Sequence, residues 1–75
     1  MKITSTITAL DLKAMTHNGM SLWITPGAQH PYWASQPSWH YDFRLANPED
    51  FLEAAGFDEL EGVEDDYTFE LEIEI

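Results

Sequence analysis

The last nine residues, YTFELEIEI, put Tyr67, Phe69, Leu71, Ile73 and Ile75 on one side of an extended chain and Thr68, Glu70, Glu72 and Glu74 on the other. So regular a period of two selects a strand with one face in a core and one face in water. Side chains two apart on a strand repeat every ~6.7 Å, so the three glutamates form a straight file of carboxylates. Any fold this chain adopts must supply a sheet whose second face stays polar and open.

The remaining segments read less sharply. Lys2–Ile7 alternates Ile3 and Ile7 with lysine and threonine, which predicts a half-buried strand. Thr8-Ala9-Leu10-Asp11 matches a capping box. The helix formers Leu12, Lys13, Ala14 and Met15 follow, and Asn18-Gly19 offers a left-handed stop. A competing reading makes Asn18-Gly19 a two-residue hairpin turn between strands. Met20–Thr25 is a short apolar run ended by Pro26-Gly27 and predicts a buried strand. PGAQHPYWASQPS, with three prolines and no periodicity, predicts a long loop.

In WHYDFRL, Trp39, Tyr41, Phe43 and Leu45 alternate with His40, Asp42 and Arg44, predicting a strand with its aromatics inward. Asn47-Pro48-Glu49-Asp50 is a strong helix opening. Phe51, Leu52 and Ala55 form the apolar stripe, and Gly56 ends the helix after about two turns. FDELEGVEDD is polar and predicts a surface connection.

Strand, helix, strand, strand, helix, strand is the split βαβ order of ferredoxin-like folds. The expectation is an α+β domain over 1–75, with an antiparallel sheet of about four strands and two short helices on one face. If the first helix is instead a strand, the alternative is a five-stranded sheet with one helix. A chain of 75 residues buries only about 60% of the surface it exposes when unfolded, too little for a second core. With no cysteine, stability must come from apolar packing or from a partner. Neither a signal peptide nor a membrane span is legible, so the expected location is the cytoplasm.

The charge is segregated. Through Pro48 there are two acids against three bases; from Glu49 to Ile75 there are twelve acids and no base. Such a half repels nucleic acid and anionic membranes and attracts proteins with basic surfaces. One strand of B-DNA carries a charge per ~3.4 Å of axis, so the Glu70, Glu72 and Glu74 file supplies about half that density. Asp58, Glu59, Glu61, Glu64, Asp65 and Asp66 on the preceding connection are the candidates for a second file. Glu49, Asp50 and Glu53 lie on the short helix. Crowded carboxylates destabilise a fold, and selection for stability alone would intersperse lysine. The bland account of the same acids is a solubilising face, or protection of an edge strand against aggregation.

The segments ANPEDFLEAAGFDELEGVEDD and YTFELEIEI, in a small chain with an aromatic loop, resemble in style the phage-encoded anti-defence proteins, particularly anti-CRISPR proteins and other nucleic-acid mimics. No residue role is carried over from that resemblance. It implies a stoichiometric inhibitor, acting in the host cytoplasm, that occupies the nucleic-acid groove of a CRISPR effector complex through an acidic surface and blocks DNA binding. The implied partner is a basic nucleic-acid-binding protein, with no direct binding of nucleic acid. An antitoxin or immunity protein facing a basic nuclease has the same electrostatics. A structural or accessory subunit is the reading of a different class, with Tyr32 and Trp33 as aromatic anchors and the acid serving solubility. Trp23 and Trp39 read as core.

No nucleophile elbow, phosphate loop, dinucleotide fingerprint or HExxH motif occurs, and exposed neighbouring carboxylates lack the differing environments that acid–base pairs need. The expectation is no enzyme, no cofactor and no metal. His17, His30 and His40 show no ligand spacing, and DELEGVEDD does not follow the calcium-loop order.

Overall fold

The computed structural model describes residues 1–75. Along the chain run β1 (Lys2–Thr8), α1 (Ala9–His17), β2 (Ser21–Ile24), β3 (Tyr32–Ala34), β4 (Phe43–Ala46), α2 (Pro48–Ala55) and β5 (Thr68–Glu74). The α+β class with two helices holds. The strands differ from expectation in number and layout: five strands form two antiparallel sheets, β1–β5 and β3–β2–β4.

Asn18-Gly19 ends a helix, so the hairpin alternative falls. The Thr8 hydroxyl accepts from the Asp11 amide at 3.2 Å, and Gly19 takes φ 66° while the Met20 amide reaches back to the Met15 carbonyl at 2.9 Å. The second helix opens as expected: the Asp50 carboxylate accepts from the Asn47 amide at 2.8 Å, and Pro48 sits in the first turn. The Asn47 side chain accepts in turn from the Ser21 hydroxyl at 2.8 Å, tying that helix start to β2.

A single four-stranded sheet does not form, for two local reasons. Tyr32–Ala34, inside the expected loop, pairs with β2 as a third strand of its sheet. WHYDFRL is extended only from Phe43, because Trp39–Tyr41 are drawn into a turn closed by the Asp42 amide on the Trp39 carbonyl at 2.9 Å. The expected inward face is therefore reversed at its start: Trp39 and Tyr41 are exposed, whereas Asp42 is buried, only 7% exposed. Trp39 is not core; Trp23 is. β4 meets β2 through a register shift between Leu22 and Trp23 that leaves Leu45 as the extra residue.

The two ends of the chain meet in the other sheet, where β1 and β5 pair from Lys2 with Glu74 to Thr8 with Thr68. Ile7, Ala9, Leu12, Leu22, Ala46, Phe51 and Phe69 make the central core cluster, which draws on both sheets and both helices, and Ile3, Trp23 and Ile24 are buried outside that cluster. Phe51 of α2 and Phe69 of β5 are fully buried. Trp33 lies on Phe51 with ring centroids 5.7 Å apart, and Phe57, Tyr67 and Phe69 stack edge to face. Burial of aromatic rings dominates small cores of this kind.

Candidate acidic interface

β5 points its glutamates as its alternation requires. Phe69 is buried and Leu71 and Ile73 are half-buried, while Glu70, Glu72 and Glu74 are exposed on the opposite face. Across the ladder stand Thr6, Thr4 and Lys2, so this face of the sheet is uniformly polar. Lys2 approaches Glu72 at 3.4 Å, with both side chains largely in water. An exposed pair of that kind contributes about 0–1 kcal/mol and leaves the file net negative.

The connection before β5 is anchored at several points. Its Tyr67 and Asp65 carbonyls accept from the Ala9 and Leu10 amides at 2.7 and 3.0 Å, meeting donors that the first turn of α1 cannot satisfy within the helix. Lys13, one turn further along, donates to the Val63 carbonyl at 2.7 Å and to the Asp65 carboxylate at 2.9 Å. Leu60 and Val63 are half-buried against the core. Glu64, Asp65 and Asp66 are thereby held on one shallow surface depression with Gly62 and Val63, immediately before the glutamate file.

Asp58, Glu59 and Glu61 are also exposed on this connection, and Glu49 and Glu53 on α2. Ion pairs reach only Glu72 and Asp65 among all these acids. Two of the three bases in the chain thus come from its N-terminal segment to the acidic half, an arrangement that linear spacing does not reveal.

The aromatic candidates have partners within the fold. Tyr32 donates its hydroxyl to Asp42 Oδ2 and accepts from the Ser38 amide at 2.9 Å; Trp33 packs on Phe51. Both are half-buried. Trp39, Tyr41 and Phe43 of one short segment are instead open to water, at 47%, 61% and 39% exposure, with His40 against the Tyr41 ring at 4.1 Å. Sequence reasoning missed them because period two placed them inward. The available signal was Asp42, a residue depleted from strands and suited to closing turns.

Hydrogen bonding from the Tyr32 hydroxyl, aided by the Trp39 amide, holds the Asp42 carboxyl below its ordinary 3.8 despite the opposing effect of burial. Asp42 is therefore the charged hub of the Ser38–Asp42 turn. No group of three or more His, Cys, Asp or Glu side chains is arranged to hold a metal ion, and no helix is long and apolar enough to cross a membrane. Set against protein-family models, curated proteins and solved structures, the chain matches none of them.

Proposed function

We propose that this protein is an inhibitor that docks its acidic face into the basic nucleic-acid groove of another protein, most concretely a CRISPR effector complex, and blocks DNA binding there. The observation that carries the reading is the outward file of Glu70, Glu72 and Glu74, continued by Glu64, Asp65 and Asp66 on a connection anchored to α1. An anchored row of charge loses less conformational freedom on binding than a mobile one, which favours affinity. Complementary charge also speeds encounter and makes it sensitive to salt. An immunity protein against a basic nuclease would rest on the same surface.

The test is inhibition of target-DNA binding by a purified effector complex, measured with the protein and with its Glu70→Lys/Glu72→Lys double variant. The expected result is inhibition that weakens with added salt and is lost in the variant, whose far-ultraviolet circular dichroism stays unchanged. Undiminished inhibition by a folded double variant rejects the reading.

A second reading, an accessory subunit assembled through aromatic contacts, is favoured by the open Trp39, Tyr41 and Phe43. It predicts that Trp39→Ala/Tyr41→Ala disrupts the complex formed by this protein more than the glutamate reversals do.

A further inference from the structure

The backbone of β5 adds a feature that its carboxylates alone do not contain. At one end of the β1–β5 ladder the Ile75 amide donates to the Met1 carbonyl at 2.8 Å, and beyond the other end the Ala9 amide donates to the Tyr67 carbonyl at 2.7 Å. In an antiparallel ladder, residues alternate between those that exchange hydrogen bonds with the neighbour and those whose amide and carbonyl point away from it. Counting by twos from Tyr67 to Ile75 assigns Phe69, Leu71 and Ile73 to β1. Glu70, Glu72 and Glu74 therefore direct their amides and carbonyls to the outer edge. No strand pairs with β5 on that side, and no other backbone group of the chain bonds those atoms. The residues bearing the carboxylate file are the same ones whose backbone is unpaired.

We propose that this outer edge takes up an extended segment of the basic partner as an added strand, with lysine or arginine at every second position opposite Glu70, Glu72 and Glu74. The inference rests on the acidic-face reading above and specifies how that face binds. Main-chain hydrogen bonds supply affinity in strand addition, and the alternating side chains supply specificity. Opposite residues of paired strands have Cβ atoms about 4.5–5.5 Å apart, close enough for each base to meet its glutamate. On the other face the intervening apolar residues of the added strand lie beside Leu71 and Ile73, which are only half-buried and gain cover. The segment thus alternates basic and apolar residues.

The other edges fit this occupant less well. The outer edge of β1 is as long but presents Lys2, Thr4 and Thr6, which carry no negative charge. β3 and β4 offer three and four residues. A second copy of this chain on the β5 edge brings two glutamate files together, which like-charge repulsion opposes.

The probe is a synthetic eight-residue peptide alternating lysine and valine, compared at low salt with a peptide of the same composition whose lysines and valines stand in two blocks. Residue-resolved amide hydrogen exchange of the intact protein is the readout. The expected result is exchange slowed at least tenfold at Glu70, Glu72 and Glu74 by the alternating peptide alone. Two variants separate charge from backbone, since proline is tolerated where its nitrogen faces away from the ladder. Glu72→Gln should weaken binding a few-fold, and Glu72→Pro at least tenfold further. Equal binding of both peptides without slowed exchange overturns strand addition while leaving the acidic face as an attractor of bases. No binding of either peptide at low salt overturns both.

Discussion

Lys13 Nζ stands 2.9 Å from Asp65 Oδ1 and 2.7 Å from the Val63 carbonyl, so one lysine of α1 holds the acidic connection by side chain and by backbone. The Lys13 side chain is about one-third exposed and Asp65 about two-thirds, which limits what their charges contribute through solvent. The carbonyl bond is part-buried and of the charge-assisted type, worth about 1.5–3 kcal/mol when intact.

Replacing Lys13 by methionine should therefore destabilise the protein by about 1–2 kcal/mol, whereas Asp65→Asn should change it by less than about 1 kcal/mol. Urea unfolding of both variants measures the difference. Equal effects would mean that the carboxylate, and not the Val63 carbonyl, is the anchor.

Asp42 makes a prediction about acid. Its folded pKa lies below the ordinary value of 3.8, chiefly through the Tyr32 hydroxyl, so the unfolded chain binds this proton more readily than the folded one. The stabilisation is fully present above 3.8 and declines as pH falls below it, through the lowered folded value. Asp42→Asn should remove that decline. Tyr32→Phe should shrink it. Relief of repulsion among the other carboxylates acts in the opposite direction but is common to all three proteins, so differences between their stability curves isolate Asp42. Parallel curves for wild type and Asp42→Asn in the acid range would show that Asp42 is not such a hub.

Salt should stabilise the fold. Twelve acids without a base follow Pro48, and only two ion pairs oppose their repulsion. Raising ionic strength from about 0.01 M to about 1 M shortens the Debye length from about 30 Å to about 3 Å, which screens the many like-charge terms as well as the two attractive ones. The melting temperature measured across that range in sodium chloride should rise. A fall would mean that the ion pairs outweigh the repulsion.

Phe51 and Phe43 differ in exposure from 0% to 39%, and so should their truncations. Phe51→Ala opens a cavity beneath Trp33 and should cost about 3–5 kcal/mol, enough to leave a domain of this size marginal. Phe43→Ala should cost less than about 0.5 kcal/mol. Denaturant midpoints compare the two; similar losses would place Phe43 in the core.

The termini of α1 and α2 were legible because caps are local: Thr8, Asn18-Gly19, Asn47-Pro48 and Gly56 each meet backbone groups within a few residues of themselves. The outward glutamates of β5 were legible for a similar reason, since alternation over seven residues leaves little choice of face. WHYDFRL alternates over as many residues, but it misled because its carboxylate at Asp42 finds a hydrogen-bond donor inside the fold and overrides the pattern. Tyr32, ten residues away, supplies the hydrogen bond that makes burying Asp42 tolerable, and Trp39 and Tyr41 are turned outward as a result.

The chain alone thus determined the helix ends, the separation of acid from base and the direction of the terminal glutamates, all properties of neighbours in sequence. Tertiary structure decided which strands pair, where Lys2 and Lys13 act, and that Glu70, Glu72 and Glu74 expose unpaired backbone as well as charge. Hydrogen bonds and ion pairs between distant residues form only when the core brings their segments together. Linear spacing carries no record of that meeting.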